Sequence, residues 1–177
     1  MQFSKDILLF DLETDGNKPG TSRVLQIGAV LLDKETLEEK ASYVSYVKQD
    51  LSDADPDAMQ INGIKPAQLA GAPSEEIAAK EFLEKFGTDV LIGSWCEYLD
   101  RRLLMEMFRR SGVDWNYDLH YLDFWPIAYA DAVKKGYNGS VRSQPIFEFF
   151  GLGERGAHNA LEDCRMEAEV FRKVMKS

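Results

Sequence analysis

Asp11 and Glu13, in "FDLETDG", stand two residues apart at the end of the apolar run "ILLFDL" (7–12). Residues two apart on a strand share a face, roughly 6.5 Å apart along the chain. Both carboxylates would then point one way while Phe10 and Leu12 enter the core. A carboxylate there is costly to bury unless it is paired or holds a cation; the plainer reading is a strand ending in a polar turn that Asp11 caps. A third acid, Asp100 in "GSWCEYLD", falls in the first turns of a helix that follows the short apolar run "DVLIG". That places it near a strand's C-terminal end, where α/β sheets build sites, although an aspartate there also stabilises the helix dipole. Asp163 lies near the start of the last helix and has the same two readings. His158, one of two histidines, precedes Asp163 by five residues in "GAHNALEDC"; on its own it reads as a surface or cap-adjacent histidine. Taken together, four carboxylates without a cysteine cluster suit Mg²⁺ or Mn²⁺ rather than zinc. Such sites can hold two ions about 4 Å apart for in-line displacement at phosphorus, and a neighbouring histidine can take a proton from the attacking water.

The elements that must bring these residues together follow from the hydrophobic pattern. Runs at 7–12, 24–32 and 41–48 read as strands, with "DKETLEEK" as a hairpin connection between the second and third. Residues 49–73 contain three prolines and read as a long loop around "MQINGI". Ser74 caps a helix that Gly87 ends. A strand at 89–93 leads into a helix over 97–112, and a short strand at 119–124 leads into a helix through about residue 135. Ser143 is placed to cap a short helix with Pro145 in its first turn. The last helix has an apolar stripe of Leu161, Cys164, Ala168, Phe171 and Met175 at helical spacing. Asn159 is its expected N-cap, with Glu162 three residues on as in a capping box. The expectation is an α/β fold: antiparallel hairpin strands first, then strands that arrive by helical crossovers.

In this order, Asp11-x-Glu13, Asp100 and His158-x4-Asp163 resemble the DEDDh branch of 3′–5′ exonucleases. "FDLETDG" is similar to that family's "FDxETTG", with Asp15 where a second threonine is common. "GAHNALEDC" is similar to its "H-x-A-x-x-D-A" segment, "INGI" (61–64) to its hydrophobic-His-Gly-Ile segment, and "YLDFWPIAYA" to its "iDT-x-x-lA" piece. The likeness runs from about residue 7 to 174. It implies a ribonuclease H-like mixed five-stranded sheet, three antiparallel strands and then parallel ones, flanked by helices in a single domain over 1–177. It implies that Asp11, Glu13, Asp100 and Asp163 bind two Mg²⁺ or Mn²⁺ ions and that His158 is the general base. It implies that Leu12, Thr14, Ile61 and Asn62 touch the 3′-terminal nucleotide, and that nucleoside 5′-monophosphates are released from the 3′ end of single-stranded DNA or short RNA. The sequence departs from the pattern at Ser94 and Trp95, which replace a His-Asn pair, and at Asn62, which replaces a frequent histidine. Trp95 is a candidate for stacking on a base or for a half-buried core position. "DRRLL" and "HYLDFW" are similar to the oligoribonuclease subgroup and "INGI" to the proofreading subgroup, so the choice between DNA and RNA stays open.

The bulk numbers set limits. The 177 residues are 45% apolar and 29% charged, ordinary for one globular domain. No apolar run approaches the roughly 18 residues of a membrane span, and the N-terminus lacks the pattern of a signal peptide. Two cysteines, Cys96 and Cys164, point to a reducing, cytoplasmic setting rather than a disulfide framework. A formal net charge of −9 argues against coating nucleic acid by bulk attraction, but an acidic site inverts its local field once cations bind. Arg101, Arg102, Arg109 and Arg110 read as a solvated helix face, and His120 as structural. With no basic stripe, processive action would need a protein partner; oligomeric state is open. A non-catalytic nucleic-acid binding module on the same fold is the alternative, and a phosphatase with an aspartyl nucleophile is disfavoured by Glu13 and the late His158/Asp163 pair.

Overall fold

Strand β1 (Ile7–Thr14) divides the molecule into two layers by alternation. Leu8, Phe10 and Leu12 enter one core together with Phe82, Leu103, Leu104, Met107 and Phe108. Ile7 and Leu9 enter the other with Phe124, Phe147, Cys164, Ala168 and Phe171. The odd series continues as Asp11 and Glu13, so the acids extend a stripe whose start is fully apolar. The computed structural model describes residues 2–156 and 159–176. Among these, β1 pairs antiparallel with β2 (Val24–Leu32), which pairs antiparallel with β3 (Glu39–Tyr46). On its other side β1 pairs in parallel with β4 (Leu91–Ser94), and β4 with β5 (Leu122–Asp123). The order β3-β2-β1-β4-β5, antiparallel then parallel, is the mixed sheet that the resemblance implies, with β5 reduced to two residues.

The expected loop at 49–73 is corrected by the structure: it contains helix α1 (Pro56–Asn62) and the short α2 (Pro66–Leu69). Each begins with its proline at the first position, where no backbone N–H is needed and the fixed φ suits a helix. Asp55 caps α1 by accepting from the Asp57 N–H, and Gly63 ends it in the left-handed region at φ 65°. Two of the prolines read as breakers are therefore helix starts.

Helices α3 (Glu75–Phe86) and α4 (Glu97–Ser111) cover one face of the sheet. Ser74 accepts from the Ile77 N–H as its sequence position predicts. Helices α5 (Phe124–Lys134), α6 (Ser143–Phe149) and α7 (Ala160–Met175) cover the other. α6 starts one residue earlier than expected: Arg142 is its N-cap, and the Ser143 hydroxyl instead accepts from the Trp95 indole N–H at 2.9 Å.

α7 is held against β2 by two contacts that fix its height. Gln26 Oε1 accepts from the Ala160 N–H at 3.0 Å, so a strand side chain satisfies one of the four orphan donors of a helix start. Asn159 satisfies two more, accepting from Leu161 and Glu162 N–H. Glu162 itself turns to Arg165, at 3.0 Å. Beside them, Gly28 leaves the helix start room: a Cβ there would sit 2.1 Å from the Ala160 carbonyl carbon and 2.3 Å from the Leu161 nitrogen. Both neighbours are backbone, so neither can rotate away. Gly28→Ala is expected to destabilise the protein by about 3 kcal/mol, the upper part of the usual overpacking range. Gly71→Ala, which meets nothing within 4 Å, is expected to be neutral within about 0.5 kcal/mol. Urea unfolding of the two variants checks both values.

Candidate active site

Three backbone elements converge where β1 ends. Asp11 and Glu13 come from β1, on the face that α7 covers. Asp163 comes from the first turn of α7. Asp100 comes from the first turn of α4, which follows the neighbouring strand β4. All four are buried, between 3% and 9% exposed. A register shift after Glu13 opens the β1–β2 ladder, so that Glu13 opposes Gln26 and Thr14 opposes Val24. Such bulges re-aim side chains at strand ends beside active sites.

Asp11, Glu13 and Asp163 each bring one carboxylate oxygen within 4.8 Å of the others. That spacing fits one cation held by three oxygen donors. Asp100 stands just outside this set. Its Oδ2 accepts from the Cys96 N–H at the start of its own helix, at 3.2 Å. Its charge is nevertheless the strongest charged influence on Asp11. The sequence-derived carboxylates are thus brought together, three in contact range and the fourth facing them. His158 lies outside the described residues.

The crowding raises proton affinities. Burial first, and then the Asp100 charge, push the Asp11 carboxyl well above the usual carboxylate range. Burial, then Asp163, push Glu13 up to about 7. Burial does the same to Asp100, also to about 7. An acid that holds its proton near neutrality is one whose ionised form lacks a sufficient counter-charge.

Two residues of this cluster went unread in the sequence. Glu167, one turn after Asp163, is 1% exposed, and burial followed by Asp11 raises its carboxyl. It sits within the apolar stripe of α7 near Cys164, Ala168 and Phe171, and a glutamate on such a stripe was the available signal. Arg155 precedes the helix. Its Nε donates to Asp163 Oδ1 at 2.8 Å and its Nη2 lies 2.7 Å from Asp163 Oδ2. No spacing rule links it to the acids, because the contact depends on Gln144 of α6, whose Oε1 accepts from the Arg155 N–H.

Beside the acids lies a pocket of about 290 Å³, lined by Glu13, Thr14, Gly16, Asn17, Asp55, Asp57, Ala58, Ile61 and Asn62. Of the five residues put forward for substrate contact, Thr14, Ile61 and Asn62 line it. Ile61 is exposed on α1 and open to a ligand. Asn62 is also structural: its Nδ2 donates to the Thr14 carbonyl and its Oδ1 accepts from the Ile64 N–H, each at 2.9 Å. The Leu12 side chain belongs to the core, leaving only its backbone near the site. Trp95 is corrected from a stacking platform to a core residue. It is 5% exposed and packs on Phe147 with centroids 4.9 Å apart. Asp15 closes the loop after β1 by accepting from the Arg23 N–H at 2.6 Å. His120, expected to be structural, is exposed, and its Nδ1 lies 2.7 Å from its neighbour Asp118. Arg101 pairs with Glu97 and Arg109 with Glu106 within α4, whereas Arg110 ties α4 to Glu75 of α3 at 2.6 Å.

Comparison with known proteins agrees with this geometry. Residues 8–171 match the RNase T family model, described as an exonuclease. The chain belongs to the RNase T exonuclease family. Among relatives of this exonuclease chain is a PolC-type DNA polymerase III of Thermotoga petrophila, 27% identical over 96% of the chain. The chain spans only 12% of that protein's length. The 3′-5′ DNA exonuclease Cap18 of Escherichia coli is 28% identical over 99% of the chain and 95% of its own length. In fold, the chain superposes on Escherichia coli exonuclease I, solved with single-stranded DNA, with a TM-score of 0.84 at 22% identity. That match covers 98% of this chain and 41% of exonuclease I.

The raised carboxyls predict a pH dependence in metal-free protein. Glu13 and Asp100 titrate near 7 when folded and near about 4 when unfolded. The folded state therefore binds their protons more tightly. Their contribution to stability is complete below about pH 4 and is lost as the pH rises through about 7. The surface acids with lowered pKa, such as Asp6 and Asp33, act in the opposite sense, but are already ionised above about pH 5. In EDTA the melting temperature is expected to fall between about pH 5 and 8, and Glu13→Gln to flatten that fall. Thermal unfolding across this range decides it; a melting temperature that rises with pH would contradict the electrostatics of the site.

Proposed function

We propose that this chain, over 1–177, is a single exonuclease domain that removes nucleotides one at a time from the 3′ end of single-stranded DNA. The observation that carries the reading is the set of three buried carboxylates, Asp11, Glu13 and Asp163, opening beside the Thr14/Ile61/Asn62 pocket. DNA is favoured over RNA because Cap18 is named a DNA exonuclease and the exonuclease I structure holds single-stranded DNA.

The donor set fits Mg²⁺ or Mn²⁺: oxygen ligands alone, buried, with too little counter-charge of their own. Asp11, Glu13, Asp100 and Asp163 would hold two ions. When bound, these would polarise the scissile phosphate and acidify the attacking water. The remaining work falls to the chain. The pocket at the end of β1 receives the terminal nucleotide, with Ile61 against its base and the Leu12–Thr14 backbone alongside. Asn62 fixes the pocket wall to β1 through the Thr14 carbonyl. His158, adjacent to the Asn159 cap, takes the proton of the attacking water. The water oxygen bonds to phosphorus and the bond to the upstream O3′ breaks. O3′ then gains a proton, giving a nucleoside 5′-monophosphate and a strand shortened by one residue. Free Cys96 and Cys164 suit a cytoplasmic setting. Among the described residues no helix is long and apolar enough to cross a membrane.

The test is product analysis on 5′-labelled single-stranded DNA and RNA with Mn²⁺ or EDTA. We expect a metal-dependent ladder that shortens from the 3′ end, faster on DNA. Asp11→Ala should slow it by more than about 100-fold, since removing even outer partners of metal ligands costs up to that much. Binding without any cleavage would replace this reading with a non-catalytic binding module.

A further inference from the structure

Arg155 reaches the acid cluster at Asp163. Its guanidinium grips Asp163 through two contacts, at 2.8 and 2.7 Å, using the fork geometry that matches a carboxylate. Its charge also reaches Asp11, Glu13, Asp100 and Glu167, lowering the proton affinity of each. One cation is felt by all five acids. The side chain is placed there deliberately by α6. Gln144 Oε1 accepts from the Arg155 N–H at 3.0 Å, and Gln144 Nε2 donates to the Gly153 carbonyl at 3.5 Å and to Glu148 at 2.9 Å. The Phe147 ring lies 5.8 Å below the guanidinium. Gly153 and Arg155 are thus tied to α6, and the arginine reaches inward.

We propose that Arg155 is the resident cation of the metal site, and that divalent ions bind by exchanging with it at Asp163. Asp163 is one of the three carboxylates whose oxygens define the cation position. An ion held there would stand within a few ångströms of the guanidinium, and like charges at that distance repel strongly in a buried site. Without metal, Arg155 supplies the positive charge beside Asp163. With metal, that role passes to the ions and the arginine is released from Asp163. The inference rests on the metal reading given above.

The competing arrangement, in which Arg155 remains on Asp163 as an outer support while metal binds, predicts the opposite sign. Losing an outer partner of a metal ligand weakens metal binding, typically 10–100-fold. Exchange predicts that losing Arg155 strengthens it. Mn²⁺ binding is measured by the electron paramagnetic resonance signal of the free ion, for wild type, Arg155→Ala and Arg155→Lys. Exchange is supported if Arg155→Ala binds Mn²⁺ on the order of tenfold more tightly, the scale of one hydrogen-bonded charge pair. Unchanged or weaker binding overturns it while leaving the metal reading intact. No Mn²⁺ binding by wild type overturns both. A second measurement needs no alanine variant. The Arg155 Nε–H signal in ¹⁵N spectra of wild type, assigned by its loss in Arg155→Lys, should be protected from exchange in EDTA. Mg²⁺ should shift it and restore fast exchange. A signal that stays protected at saturating Mg²⁺ refutes release.

Discussion

Mutual repulsion among buried carboxylates is the constraint on which the structure turns. Asp11, Glu13, Asp100, Asp163 and Glu167 are each less than one-tenth exposed, and a lone buried charge is among the most expensive things a fold can hold. Two apolar layers hold them there. The core of Leu8, Phe10, Phe82 and Phe108 on one side, and of Leu9, Phe124, Phe147 and Phe171 on the other, fixes β1 between them. The acids stand where those layers stop, at the strand's end, and Arg155 relieves part of the repulsion. Stability and function draw on the same few residues in opposite directions.

Much of this could be read from the chain because the deciding features are local. The alternation of β1 put Asp11 and Glu13 on one face, and the stripe of α7 put Cys164, Ala168 and Phe171 into the core. Ser74, Asn159 and Gly87 cap the helices they were expected to cap. β2 spans the residues expected of it, whereas β3 lies two residues earlier than its apolar run, at Glu39–Tyr46. Pro56 and Pro66 were misread because proline breaks a helix interior yet favours its first position, and only the Asp55 cap and Gly63 stop distinguish the two cases.

What was illegible depended on contacts far apart in sequence. Gln26 capping α7 spans 134 residues, and Trp95 meets Ser143 across 48. Neither has a spacing rule. Trp95 fits a stacking or a core position by sequence alone, and it is the Phe147 ring beside it that makes it core. Arg155 belongs to the same class, since its reach toward Asp163 depends on Gln144 in a different helix. Glu167 is different: its position on an apolar stripe carried the information, and the stripe was read for its apolar members only.

The union of the first strand with the last helix also has a temporal consequence. Asp11 and Glu13 are made early, but Asp163 follows by some 150 residues of synthesis, and its helix docks through Gln26 and past Gly28. Contacts of such separation form late because the chain between them must first be ordered. Until that helix is made, the half-site on β1 has neither Asp163 nor Arg155 to complete it. A nascent chain therefore holds no complete set of site carboxylates until α7 is in place.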